Sequence, residues 1–275
     1  MREPRPPLPA AFDLTGRVAL ITGAGAPDGI GMASARLLGE LGAAVAVAAT
    51  SERVRERADE LAACGVPAAA VIADLTDELQ VRRAVAEVTA ALGAPTVLVN
   101  NAGMTSVTDP VLDVASSGGA ESGTAAALTY DQWRASLARN LDTAFLVSRA
   151  VLPGMRAAGW GRVVMVASVT GPVTAMRGEA AYAAAKAGMV GLARSIAIDE
   201  AARGITANAV APGWIRTGSQ TAAEALEGER TPVGRSADPG EVAGAVAFLC
   251  SPTAAYVSGQ CLVVDGAGSV AEERA

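Results

Sequence analysis

The sequence contains no histidine. That absence removes imidazole-bearing zinc sites, Ser-His-Asp and Cys-His nucleophilic machinery, and every mechanism that titrates an imidazole near neutrality. Cysteine is scarce. Cys64, Cys250 and Cys261 lack the CxxC spacing of a metal knuckle, so no metal site is expected, and their odd number favours structural thiols in a reducing compartment. Basic residues are outnumbered, with 22 Lys and Arg against 28 Asp and Glu for a net charge of −6, which gives no electrostatic basis for a general nucleic-acid or anionic-membrane binder. Long apolar runs are missing too: Gly, Pro or charge interrupts each one short of membrane-spanning length, and the opening MREPRPPLPAA has no apolar stretch of the secretory kind. A cytoplasmic protein is the expectation.

What remains is a chain of 275 residues, 51% hydrophobic, enough for one large domain that buries roughly 70 to 75% of its unfolded surface. A flexible arm over 1–13, one domain over 14–268 and a tail over 269–275 are expected. Within the domain, apolar runs alternate with helical periodicity. RVALITG reads as a buried strand feeding a helix over Met32 to Leu41. AAVAVAAT is a second strand, followed by a charged amphipathic helix with Ser51 as its N-cap. AAAVIAD, a helix over Glu78 to Leu92, and TVLVNNAG continue the pattern. A helix from Tyr130 toward Arg156, the strand GRVVMVAS, a helix over Tyr182 to Ala202, ITANAVAPG, a helix over Glu241 to Leu249 and QCLVVDG complete it. Alternation of this kind predicts an α/β, Rossmann-like, doubly wound parallel sheet with helices on both faces. The small-residue stretch 109–129 reads as a loop, or as a surface for close packing against another subunit.

TGAGAPDGIG, Thr22 to Gly31, lies where the first strand meets the first helix. Its glycines can take unusual dihedrals and bring backbone N–H groups near a pyrophosphate, so Gly23, Gly25, Asp28, Gly29, Ile30 and Gly31 are candidate dinucleotide contacts. Asp74 and Leu75 end the third strand, where the carboxylate could accept from adenine N6. Asn101, Ala102 and Gly103 end the fourth, where small residues allow close approach. A helix cap explains Asp74 and an ordinary turn explains Asn101 equally simply. The second strand's exit reads Ala49-Thr50-Ser51-Glu52-Arg53, with Thr50, Ser51 and Arg53 the candidate contacts and no acidic residue immediately at the strand's end to take both ribose hydroxyls. That leaves room for a 2′-phosphate and makes NADP(H) the leading cofactor, with NAD(H) the alternative, since Asp28 would oppose a phosphate beside it.

Tyr182 and Lys186 stand four apart on one helical face, where an ammonium favours phenolate formation. On its own such a pair is ordinary helix surface. Its neighbours change that: Ser168 ends a strand fourteen residues earlier, and Asn140 sits mid-helix, where an amide has low propensity and needs partners.

Taken in order, Thr22 to Gly31, Asn100 to Gly103, Asn140, Ser168, Tyr182 to Lys186 and Pro212 to Thr217 resemble the short-chain dehydrogenase/reductase family over roughly Leu14 to Gly266. The nearest resemblance is to 3-oxoacyl-carrier-protein reductases and related secondary-alcohol dehydrogenases. The resemblance implies that Tyr182 is the acid/base and Ser168 polarises the substrate oxygen. Lys186 would hold the nicotinamide ribose and lower the Tyr182 pKa, and Asn140 would support a water. It implies that Pro212, Gly213, Ile215 and Thr217 flank the nicotinamide, with Trp214 and the following TAAEALEGERTP in a mobile lid. The implied activity is hydride transfer between NADP(H) or NAD(H) and a ketone or secondary alcohol, such as a 3-oxoacyl thioester or polyketide-like ketone. The alternatives are an NAD-dependent sugar, polyol or cyclic-alcohol dehydrogenase and a non-catalytic dinucleotide-binding scaffold. A homotetramer is also implied, and an acyl carrier protein is a candidate partner through Arg149, Arg156, Arg162 and Arg203. Two features depart from the pattern: the glycine turn is two residues longer, through Ala26 and Pro27, and Asp28 replaces a frequent basic residue.

Overall fold

The computed structural model describes residues 8–103 and 122–272. Seven parallel strands form one sheet: β1 (Val18–Thr22), β2 (Ala44–Ala49), β3 (Ala68–Ile72), β4 (Val97–Asn100), β5 (Gly161–Val166), β6 (Ile205–Pro212) and β7 (Cys261–Val264). Their order is β3-β2-β1-β4-β5-β6-β7. Around them lie α1 (Ile30–Glu40), α2 (Arg53–Ala63), α3 (Glu78–Leu92), α4 (Tyr130–Leu137), α5 (Thr143–Ala158), α6 (Ala180–Glu200), α7 (Ala222–Glu229) and α8 (Pro239–Cys250).

The strands are apolar on both sides because both faces are covered. Ala19 and Ile21 of β1, with Val45 and Val47 of β2, pack with Met32, Leu38, Val54, Leu61, Val242 and Val246 from α1, α2 and α8. Leu20, Ala46 and Ala48 point the other way, into a core shared with Val81, Val88, Val147, Val151 and Met189 from α3, α5 and α6. The strand order turns back between β1 and β4, so a crevice opens beyond the carboxyl ends of those strands, the usual place for a ligand in such sheets.

Several local expectations change. Helix α2 begins at Arg53 without a side-chain cap; Ser51 instead accepts the Val54 N–H on its backbone carbonyl at 3.2 Å. The expected single helix from Tyr130 to Arg156 is α4 and α5 joined by a π-helical turn, Ala138–Asp142. The segment expected as a lid contains α7, closed by a reciprocal cap between Thr221 and Glu224. Of the 109–129 stretch, residues up to 121 lie outside the described residues; after them, Gly123 bridges to Glu179 and Thr129 caps α4. Among the described residues no helix is long and apolar enough to cross a membrane.

Candidate active site

The carboxyl ends of β1 and β4 are clasped together. The Thr22 hydroxyl accepts the backbone N–H groups of Asn101 (3.0 Å) and Ala102 (2.9 Å), and the Asn101 amide donates to the carbonyls of Thr22 and Gly23, both at 3.0 Å. Only glycine suits the neighbouring positions. Gly23 has φ +67°, and a Cβ there would lie 2.8 Å from the Ala102 Cα; a Cβ at Gly31 would lie 2.6 Å from the Asn101 amide nitrogen and 2.9 Å from the Gly23 carbonyl. Asn101 is therefore a structural clasp as well as a lining residue.

Helix α1 opens at this point with no side-chain cap and no acidic residue in its first turn. Helices α3, α4 and α7 are capped by Asp77, Thr129 and Thr221. The first N–H groups of α1 thus remain available, at the positive end of a helix and beside glycines that admit close approach, which fits a pyrophosphate. The longer turn is held rather than loose. Arg36 donates to the Pro27 carbonyl at 3.0 Å and pairs with Glu60 at 2.9 Å. Asp28 is turned in an unexpected direction: its carboxylate lies against Gly218, in the loop beyond β6, where a Cβ would strike it. In the sheet, β6 lies on the opposite side of β1 from β2, whereas Gly25 is the turn residue that faces Ala49 at the end of β2. Asp28 is thus in contact with the loop beyond β6, and Gly25 with the end of β2.

At that exit Thr50 is exposed and Ser51 partly buried. Arg55 and Arg57 of α2 pair with Glu52, Glu56 and Glu60, but exposed Arg53 has no hydrogen bond or ion pair among the described residues. Exposed Asp74 uses Oδ1 to accept from the Thr76 N–H (2.9 Å) and hydroxyl (2.7 Å), while Leu75 is buried beside it.

Farther along the crevice, the π-helical turn presents Asn140, which is 0% exposed. Its amide donates to the Ser136 carbonyl at 3.1 Å, and its Oδ1 is buried without a partner. Gly103, with φ +120°, lets the end of β4 pass so close that a Cβ would lie 2.8 Å from that oxygen. An unpartnered buried carbonyl oxygen suits a water, as the sequence suggested.

Ser168, two residues past β5, accepts the Thr170 N–H at 3.1 Å, and its side chain acts on the Tyr182 phenol in the direction of a lower pKa. Lys186, one turn on from Tyr182, is 2% exposed; its Nζ donates to the Val166 carbonyl at 3.1 Å and lies 5.5 Å from the centre of the tyrosine ring. Burial pushes Lys186 down to about 8. Burial also pushes Tyr182 up to about 12, outweighing the lowering by the Ser168 side chain, with the charges of Glu179 and Glu224 acting in the same direction as burial. Desolvation acts on both groups and opposes the charged form of each, against the lowering of the phenol that the resemblance implies.

Beyond β6, the Gly213 N–H donates to the Val264 carbonyl at 3.0 Å, and Ile215 packs into the apolar cluster beneath α1 and α8. Trp214 and Arg216 bond through their backbones to Ala237, and Thr217 shares a hydrogen bond with Ser219. Pro212 ends β6, Gly213 and Thr217 follow it past the carboxyl edge of the sheet, and Ile215 between them is half-buried.

The arginine surface expected for a carrier protein is largely engaged internally. Arg162 is buried, stacks on Trp160 and bonds the carbonyls of Ser251, Gly161 and Gly204. That corrects its placement on the surface. Arg156 and Arg203 pair with buried Glu200, and Arg149 with Glu78. Sequence reasoning missed Glu179, whose only signal was an acid three residues ahead of the tyrosine in an otherwise apolar helix start.

Comparison with known proteins agrees with this geometry. A family model described as enoyl-(acyl carrier protein) reductase matches residues 23–268. A 3-oxoacyl-(acyl-carrier-protein) reductase of Pseudomonas aeruginosa is 39% identical over 261 residues, covering 93% of this chain and 98% of that protein. The cis-4-hydroxycyclohexanecarboxylate dehydrogenase of Sinomonas cyclohexanicum is 40% identical over 256 residues, covering 91% and 95%. A gluconate 5-dehydrogenase from Burkholderia cenocepacia, solved with NADP and tartrate, superposes with a TM-score of 0.83 at 35% identity, covering 95% of this chain and 98% of that one.

The cradle makes a direct prediction. Gly31→Ala places a methyl group against the Asn101 amide and the Gly23 carbonyl, so dinucleotide affinity measured by nicotinamide fluorescence should fall about tenfold, near 1.4 kcal/mol. Unchanged affinity would show that this close approach is irrelevant to binding.

Proposed function

Because the chain belongs to the short-chain dehydrogenase/reductase family and is an NAD(P)-dependent oxidoreductase of the ketone and secondary-alcohol class, we propose that Tyr182 is its acid/base, with Ser168, Lys186 and Asn140 completing the site. The observation that supports this reading is a buried lysine held on the Val166 carbonyl, 5.5 Å from the ring of a tyrosine on whose phenol the Ser168 side chain acts, at the carboxyl end of β5. A ketone, a reduced dinucleotide and a proton give a secondary alcohol and the oxidised dinucleotide. The nicotinamide, when bound, supplies or accepts the hydride.

The protein's share is orientation and proton handling. Tyr182 donates its proton to the carbonyl oxygen as negative charge develops there, and Ser168 donates a second hydrogen bond to that oxygen. Lys186, fixed on the Val166 carbonyl, still has donors left for the ribose hydroxyls. Asn140 Oδ1 holds a water that links the lysine to solvent.

NADP(H) is the cofactor this reading favours, with Arg53 at the 2′-phosphate. Support comes from the lack of an acid at the β2 exit, the unpaired Arg53 side chain, the orientation of Asp28, and the NADP bound in the Burkholderia structure. For the substrate, the relative from Pseudomonas points to a 3-oxoacyl thioester. The internal pairing of Arg149, Arg156 and Arg203 favours a small thioester over a carrier-bound one. A second reading, a cyclic alcohol or polyol, is supported by the Sinomonas and Burkholderia relatives. A homotetramer is part of the proposal, supported by exposed Tyr256, Leu262 and Val263 at the β7 edge.

Two experiments test the assignment. Tyr182→Phe should bind dinucleotide as the parent does while losing turnover by roughly a hundredfold or more; retained turnover would remove Tyr182 from the acid/base role. Arg53→Ala should weaken NADPH about tenfold, the loss of a charge-assisted hydrogen bond, and leave NADH nearly unchanged. Equal weakening of both would place Arg53 away from the 2′-phosphate.

A further inference from the structure

The glycine turn and the loop beyond β6 touch each other through one pair of residues. Asp28 stands two residues before α1 and does not cap it: the N-cap position is Gly29, and no side chain bonds the first turn. The Asp28 carboxylate reaches instead to Gly218, so closely that a Cβ there would lie 2.9 Å from Oδ1 and 3.0 Å from Cγ, with Oδ2 nearer still. These three atoms are the nearest that an added carbon would meet, and Gly218 does not adopt a left-handed φ. Glycine at 218 therefore serves the close approach of Asp28 rather than a backbone conformation.

Both sides of the contact are braced. On the turn, Arg36 of α1 donates to the Pro27 carbonyl at 3.0 Å and pairs with Glu60 of α2 at 2.9 Å. On the loop, the Arg216 N–H donates to the Ala237 carbonyl at 2.8 Å and the Ala237 N–H to the Trp214 carbonyl at 2.9 Å. Arg216 Nε also donates to Asp238 at 3.0 Å, and the Gln220 amide to the Ser236 hydroxyl at 2.7 Å. Two held segments thus meet at two exposed residues.

The place of the meeting gives it a consequence. In the sheet, β4 and β5 lie between β1 and β6. Three strand spacings separate β1 from β6, roughly 14 Å. A turn at the end of β1 and a loop at the end of β6 touch only by reaching across the exits of β4 and β5, where Asn101 and Ser168 follow the strands. From β1 through Asp28 and Gly218 to β6, the chain forms a closed arch on the carboxyl side of those exits. The extra length of the turn, Ala26 and Pro27, supplies part of its span.

We propose that Asp28 is a positioning residue for the loop beyond β6: its contact with Gly218 closes the arch over the dinucleotide site, and opening that contact gates the entry and release of the dinucleotide. The inference rests on the glycine turn as the pyrophosphate site and Tyr182 as the acid/base, since a dinucleotide held at both runs along the exits that the arch spans. The contact is present with the site empty and is remade over the bound dinucleotide. Weakening it therefore speeds association and dissociation together and leaves their ratio in place.

Stopped-flow fluorescence of NADPH reads both rate constants. Asp28→Ala removes the carboxylate and Gly218→Ala drives a methyl group into it; each should raise association and dissociation about fivefold while Kd stays within about twofold of the parent value. Asp28→Asn keeps the shape of the side chain and should keep both rates near those of the parent. In the Asp28→Ala background, Gly218→Ala should add nothing, because the group it strikes is gone. Parent-like rates in folded Asp28→Ala protein overturn the proposal, and that variant decides the matter if Gly218→Ala does not fold. A slower dissociation with tighter binding, reproduced by Asp28→Asn, also overturns it, because Asp28 would then act as a charge against the pyrophosphate. Failure of the underlying reading looks different: Gly31→Ala would leave Kd unchanged, whatever the rates of the Asp28 variants.

Discussion

The placement of one lysine organises this molecule. Lys186 lies almost wholly inside the protein, held by the Val166 carbonyl and touching the Met189 sulfur at 3.7 Å. Burying an ammonium opposes folding unless its donors are met, and its pKa is pushed down to about 8 as a result. For Nζ to reach the end of β5, α6 must lie close to the sheet and to the π-helical turn. Small residues make that approach possible. Ala181 and Ala185 are fully buried, a Cβ at Gly188 would come within 2.8 Å of Leu141, and a Cβ at Gly171 would collide with the Ala183 carbonyl. The alanine-rich sequence of α6 is a consequence of this close packing.

The same constraint connects the two halves of the site. The clasp between Thr22 and Asn101 sets the ends of β1 and β4, and Gly103 then passes the chain against Asn140. The π-helical turn inserts one extra residue into the helix, turning Asn140 inward with its Oδ1 free of any hydrogen bond, and such turns often occur at functional sites. The clasp and the π-helical turn are thus joined through the chain that leaves β4.

Much of the fold was legible in the sequence, because its strands are short apolar runs bounded by glycine or polar residues. The limits of α3 were readable to the residue, since Asp77 caps one end and Gly93 closes the other at φ +101°. Ser168 lies at the exit of β5, Tyr182 and Lys186 on α6 and Asn140 on the π-helical turn, and it is the order and spacing of such residues that the sequence displays. The π-helical turn was illegible, since a one-residue insertion leaves no mark in a helical period. Burial of Arg162 was also hidden: its partners Trp160, Gly204 and Ser251 converge only through the sheet. The direction of Asp28 likewise depends on a contact between segments far apart in the chain.

The most direct test asks whether Lys186 is retained for chemistry or for folding. Lys186→Met keeps the length of the side chain and removes the buried charge, an exchange that is often neutral or stabilising. Melting temperature and turnover should be measured on the same preparation. The account predicts a chain that melts no lower than the parent yet turns over roughly a hundredfold more slowly. Turnover close to that of the parent would contradict it.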